Sequence, residues 1–124
     1  MTTAATEALR RLEHALGKPR GDLASLAAWR WSVRQGMGAV RDVLMDEAHH
    51  AEDGWLAARG GSVTRERNTL LSRLSKLGPV VLESPDVDPI AGELTRLVAD
   101  VRRHVQRLHD LVYDEVEMEL GGSE

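Results

Sequence analysis

The chain has 124 residues, 16 lysines and arginines against 20 acids, and a formal net charge of −4. That length accommodates one domain around one core, and an acidic balance with both signs interspersed argues against a nucleic-acid partner, which calls for a clustered basic face. The absence of cysteine excludes a disulfide framework, a thiol nucleophile and a thiolate metal site. No apolar run approaches the roughly 18 residues of a membrane span, so no membrane partner is expected.

The opening stretch Met1-Thr2-Thr3-Ala4-Ala5-Thr6-Glu7 has neither the basic nor the apolar segment of a secretory signal, which predicts a cytoplasmic protein. Apolar residues recur at helical spacing, none of the chain alternates at period two, and phenylalanine is absent. The expectation is an all-α fold. The whole of 1–124 reads as one helical bundle domain, with 1–21 an N-terminal helix and loop and 22–122 the main bundle helices.

The first helix is predicted from about Thr3 to Leu16, with Leu9, Leu12 and Leu16 as its stripe and Gly17-Lys18-Pro19-Arg20-Gly21 as its stop. Asp22 is a good N-cap for a second helix running to about Arg59. Its predicted apolar face includes Leu23, Leu26, Val33, Met37, Val40, Leu44, Ala48 and Trp55, and Trp29 and Trp31 are expected at a helix interface. Gly36 and Gly38 inside it cost about 1 kcal/mol each relative to alanine and mark a bend or a close helix approach. A third helix starts at Ser62 and presents Val63, Leu70, Leu71, Leu74 and Leu77, until Gly78-Pro79 interrupts or kinks it. The fourth begins with Asp88 as N-cap and Pro89 at the first helical position. It carries Ile90, Leu94, Leu97, Val98, Val101, Val105, Leu108 and Val112 on one side and closes at Gly121-Gly122.

Polar residues that break these stripes are the informative ones. On the fourth helix His104, Leu108, Leu111 and Glu115 share a side. On the second, His49 and Asp53 stand four apart, as do Asp46 and His50, so each pair presents an imidazole and a carboxylate together. Arg67 sits among Val63, Leu70, Leu71 and Leu74 on the third. Imidazole and carboxylates turned into a bundle make a set that suits iron, manganese or zinc. The same residues also make a satisfied polar cluster with no metal, in which Arg67 neutralises a core acid. No serine lies in a nucleophile motif and no glycine-rich phosphate loop follows a strand, so no catalytic residue is assigned and an enzyme is not the expectation.

The order of helices, and the closing segment from His104 through Asp110 and Tyr113 to Gly121-Gly122, resemble the hemerythrin-like (HHE cation-binding) family, above all bacterial versions ending in a DLVY…LGG motif. The resemblance runs from about Asp22 onward and implies an antiparallel up-down four-helix bundle. The family supplies an early His, then H-x-x-x-E, H-x-x-x-H and H-x-x-x-x-D. Here His49 with Asp53 matches the second element using the shorter acid. His104 matches the start of the last element, but His109 stands five later and Asp110 one further on. Arg67 and Leu71 align with the two histidines of the third, and no early His is present. The resemblance therefore implies an incomplete ligand set. His49, Asp53, His104, His109 and Glu115 are the candidate metal ligands, forming a partial or degenerate cation site used in binding or sensing. The alternative it leaves open is a metal-free helical interaction module, a homodimer among its forms, that has lost the di-iron site.

Overall fold

Four helices make up the described residues of the computed structural model, which are 3–50 and 61–122; side chains are described for all of these except 50 and 114–122. They are α1 (Ala4–Leu16), α2 (Leu23–His50), α3 (Gly61–Glu83) and α4 (Asp88–Gly122), with no strand among the described residues. The predicted tail of the second helix from 51 to 60, with Trp55, lies outside them.

Side-chain caps set the starts. The Thr3 hydroxyl accepts the Thr6 N–H at 3.1 Å, and the Asp22 carboxylate accepts the Ser25 N–H at 2.8 Å. Each satisfies one of the orphan donors of a helix N-terminus. The Ser25 bond is also the main reason that the Asp22 carboxyl lies below its ordinary range. Helix α4 starts one residue earlier than expected. The Ala91 N–H already bonds the Val87 carbonyl, so Asp88 is the first helical residue and its own N–H is held by Asp86 at 3.1 Å.

Gly78-Pro79 does not interrupt α3, which continues through Pro79 to Glu83. Two arginines of α2 lie against this stretch, one on each side of the proline. The Arg30 guanidinium donates to the Val81 and Ser84 carbonyls at 2.7 and 2.8 Å, supplying partners at the helix end. The Arg34 guanidinium lies across Gly78, where an added Cβ would sit 2.9 Å from its terminal nitrogen.

Helix α1 packs on α2, α2 on α3, α3 on α4, and α4 back on α1, which closes a ring around one core. Leu12, Trp29, Val33, Leu44, Leu70, Leu94, Leu97 and Val101 are all buried in it. Each large side chain so buried contributes on the order of 1.5–3 kcal/mol. Trp29 ties the first two helices together: its indole N–H donates to the Leu16 carbonyl at 3.2 Å, and Arg20 stacks over its ring at 5.3 Å. Arg20 in turn reaches Asp88 at the start of α4, at 2.9 Å.

Gly36 marks the close approach foreseen for it. A Cβ there would lie 3.0 Å from the Leu12 Cα, so the α1 backbone rests directly on α2. Gly38 has nothing within 4 Å of that position and takes no part in this contact. Leu23 and Val112, expected on apolar faces, and Trp31, expected at a helix interface, are exposed. Trp31 falls about 200° around α2 from Trp29, at 100° per residue, so only one of the two can face the core.

Candidate functional site

Toward one end of the ring, the core stripe of each of three helices is broken by an ionisable residue, and the breaks meet. Helix α4 contributes His104, three residues after the buried Val101 and itself fully buried. Helix α2 contributes Glu47, three residues after Leu44 and seven after Val40. Helix α3 contributes Glu66 and Arg67, three and four residues after the buried Val63. Each offset keeps the side chain on its helix's inner face.

The geometry is closely specified. The His104 Nδ1 lies 2.7 Å from a Glu66 carboxylate oxygen, and Nε2 lies 2.8 Å from both oxygens of Glu47. Carboxylates only accept, so satisfying both contacts requires two N–H donors, and the imidazolium is the form that provides them. Burial pushes the His104 pKa down; the hydrogen bonds and negative charge of Glu47 and Glu66 outweigh it, and the net shift is upward.

Two arginines extend the cluster. Arg67, 7% exposed, places its guanidinium 3.7 Å from Glu47. Arg107, at the solvent side, donates to Glu66 at 2.9 Å. Arg67, Glu47, His104, Glu66 and Arg107 thus form a chain of alternating charge that runs from the interior to the surface. Its one defect is the Arg67 Nε, which is buried without a hydrogen-bond partner. Outside the chain, Arg73 pairs with Asp100 at 2.7 Å, and Arg103 also pairs with Asp100. The Arg73 bond is the main reason that the Asp100 carboxyl lies below its ordinary range.

Of the candidate ligands, only His104 reaches this interior. His49 and His109 are exposed. Each lies five residues beyond a buried residue of its helix, Leu44 and His104 respectively, which turns it about 140° away from the inner stripe. Asp53 and the Glu115 side chain lie outside the described residues. The exposed His49 and His109 therefore do not join His104 in one centre. Among the described residues, no group of three or more His, Asp or Glu side chains is spaced to hold a metal ion.

Glu47 and Glu66 were not singled out from the sequence. The signal was there for Glu47, which follows Val40, Val43 and Leu44 at +7, +4 and +3. The family resemblance points instead to His49, two residues on. Glu66 stands beside Arg67 in a run of alternating charge, where an acid carries no distinct signal.

Among the described residues, the donor set around His104 does not fit a resident metal. Both imidazole nitrogens are engaged by carboxylates, and a guanidinium sits where a cation would be repelled. No protein family, curated protein or solved structure matches the chain.

Proposed function

We propose that the chain is an antiparallel, hemerythrin-type four-helix bundle whose cation position has been taken over by an internal ion network, and that it works as a metal-free helical interaction module. The observation that carries this is the buried His104 held between Glu47 and Glu66, with Arg67 beside Glu47. A proton and a guanidinium supply the positive charge that a metal ion supplies in a cation-binding bundle.

Contacts between neighbouring helices support the antiparallel arrangement. Leu12 meets Gly36 while Leu16 meets Trp29. Arg30 meets Val81 while Glu47 meets Arg67. Glu66 meets His104 while Arg73 meets Asp100. In each pair of contacts, advancing along one helix means retreating along the other.

Elemental analysis of freshly purified protein, together with thermal melts after addition of Fe²⁺, Mn²⁺ or Zn²⁺, tests the reading. Substoichiometric metal and an unshifted Tm are expected. Stoichiometric metal that is lost in His104→Ala would overturn it in favour of a partial cation site.

A further inference from the structure

Helix α2 carries a second ordered face, opposite the core. Ala24, Trp31, Gly38 and Met45 recur at intervals of seven, which places them on one stripe about 31 Å long, at 1.5 Å per residue. Ala24 and Met45 are exposed, and Trp31, at 65%, is the most exposed aromatic among the described residues. Gly38 has open space where a side chain would stand. Among the described residues nothing packs against Gly38, whereas Gly36 is explained by Leu12.

Size alternates along the stripe: small, large, small, large. Laid antiparallel on a second copy and centred between Arg34 and Gln35, the stripe is complementary to itself. Trp31 meets Gly38, and Ala24 meets Met45. The charged residues of the same stretch also fall opposite small ones, Arg41 against Ala28 and Asp42 against Ala27. Arg34, next to the centre, has its guanidinium drawn off over Gly78 of α3. A parallel pairing would instead set Trp31 against Trp31 and leave a gap between the two glycines.

We infer that the outer face of α2 is a homodimer interface with two-fold symmetry, in which Trp31 of each copy seats in the notch left by Gly38 of the other. An isologous contact of this kind requires one self-complementary patch. An aromatic anchor in a pocket at its centre is the usual energetic focus. The inference names the partner for the interaction module proposed above but rests on the outside of the bundle, not on its charged interior. One helix per protomer covers less than the ~800 Å² per partner of a standard interface, so association is expected in the micromolar range, on the order of −8 kcal/mol or weaker.

The test is sedimentation equilibrium of the full chain in chelator from about 5 to about 500 µM, a range that brackets such an affinity. A monomer–dimer equilibrium is expected. Trp31→Glu and Gly38→Gln, both at positions open to solvent, should each weaken it about tenfold or more with unchanged helical circular dichroism. The chain has no cysteine, so crosslinking reports the register directly. An oxidised mixture of Ala24→Cys and Met45→Cys variants should form the mixed disulfide in preference to either self-linked dimer. A monomer at every concentration overturns the inference, and one with Trp31 already shielded from quencher hands the stripe to an occupant within the same chain. Self-linked Ala24→Cys dimers, or a dimer indifferent to both Trp31→Glu and Gly38→Gln, overturn it as well. The use of chelator keeps these outcomes separate from the metal analysis.

Discussion

Replacing His104 by leucine removes the shared donor of two carboxylates while nearly preserving side-chain volume. Among the described residues, Glu47, whose side chain is 8% exposed, then keeps only the Arg67 guanidinium at 3.7 Å. Breaking a buried ionic pair by deleting one partner costs about 3–5 kcal/mol. The lower figure applies here because Arg67 remains, and about 3 kcal/mol corresponds to a fall in Tm on the order of 10 °C for a chain of this size. The pH dependence is the sharper test. The ordinary His value is 6.5 and folding raises it, so the native state binds the proton more tightly than the unfolded chain does. The stabilisation is complete below pH 6.5 and is lost as pH rises through the folded value, with a slope of at most about 1.4 kcal/mol per pH unit. Among the described residues, the groups on the imidazole are Glu47 from α2 and Glu66 from α3, which are themselves paired with Arg67 of α3 and Arg107 of α4. Urea unfolding followed by circular dichroism from pH 5 to 9 should show the gap between the parent and His104→Leu narrowing above pH 6.5. A gap that is constant or widens across that range refutes the ionic account of the cluster.

Five further substitutions, at four positions, test packing and charge separately. Arg67→Met keeps the aliphatic stem but removes the guanidinium beside Glu47, and because His104 still pairs with that carboxylate it should cost about 1–3 kcal/mol, whereas Arg67→Ala also gives up the buried stem and should cost about 2 kcal/mol more; equal costs in urea titrations would contradict this. Gly36→Ala forces a methyl against the Leu12 backbone and should destabilise by about 1–3 kcal/mol, while Gly38→Ala, measured where the chain is monomeric, should stabilise by up to about 1 kcal/mol. Trp29→Phe gives up the bond to Leu16 and the stacking of Arg20; a loss of about 1–2 kcal/mol is expected, from the hydrogen bond and the cation–π contact together, and a thermal melt reads it.

Much of the fold was legible because stripes and caps are local. Leu9, Leu12, Val33, Leu44, Leu70, Leu94 and Val101 announce their burial by spacing alone, and Thr3 and Asp22 announce helix starts by chemistry. Of the two outcomes expected at Gly78-Pro79, interruption does not occur, and the contacts that Arg30 and Arg34 make there come from another helix, which no local rule contains. The interior cluster was half legible. His104 and Arg67 stood out as polar breaks in apolar stripes, yet their partners are set by how three helices align, and that register is not written in any one of them. His49 drew attention by residue type although its angular position excluded it from the core. Glu47, two residues earlier, had the right angle and an unremarkable identity.

The closed ring has a consequence for how the chain comes together during synthesis. Helix α1 is made before α2 to α4, yet it pairs with α4 through Glu13 and Arg102, 89 residues later, and the loop that follows it reaches the start of α4 through Arg20 and Asp88, 68 later. While α4 is still within the ribosome, α1 can cover only its α2 side, and the apolar flank that will meet α4 stays open to water. Until α4 emerges, the first three helices lack the element that closes the ring. Closing long loops slows folding, and an uncovered apolar flank invites wrong partners meanwhile. The early tie from Trp29 to Leu16, which spans only 13 residues, docks α1 against α2 before that moment and limits how much of it waits exposed.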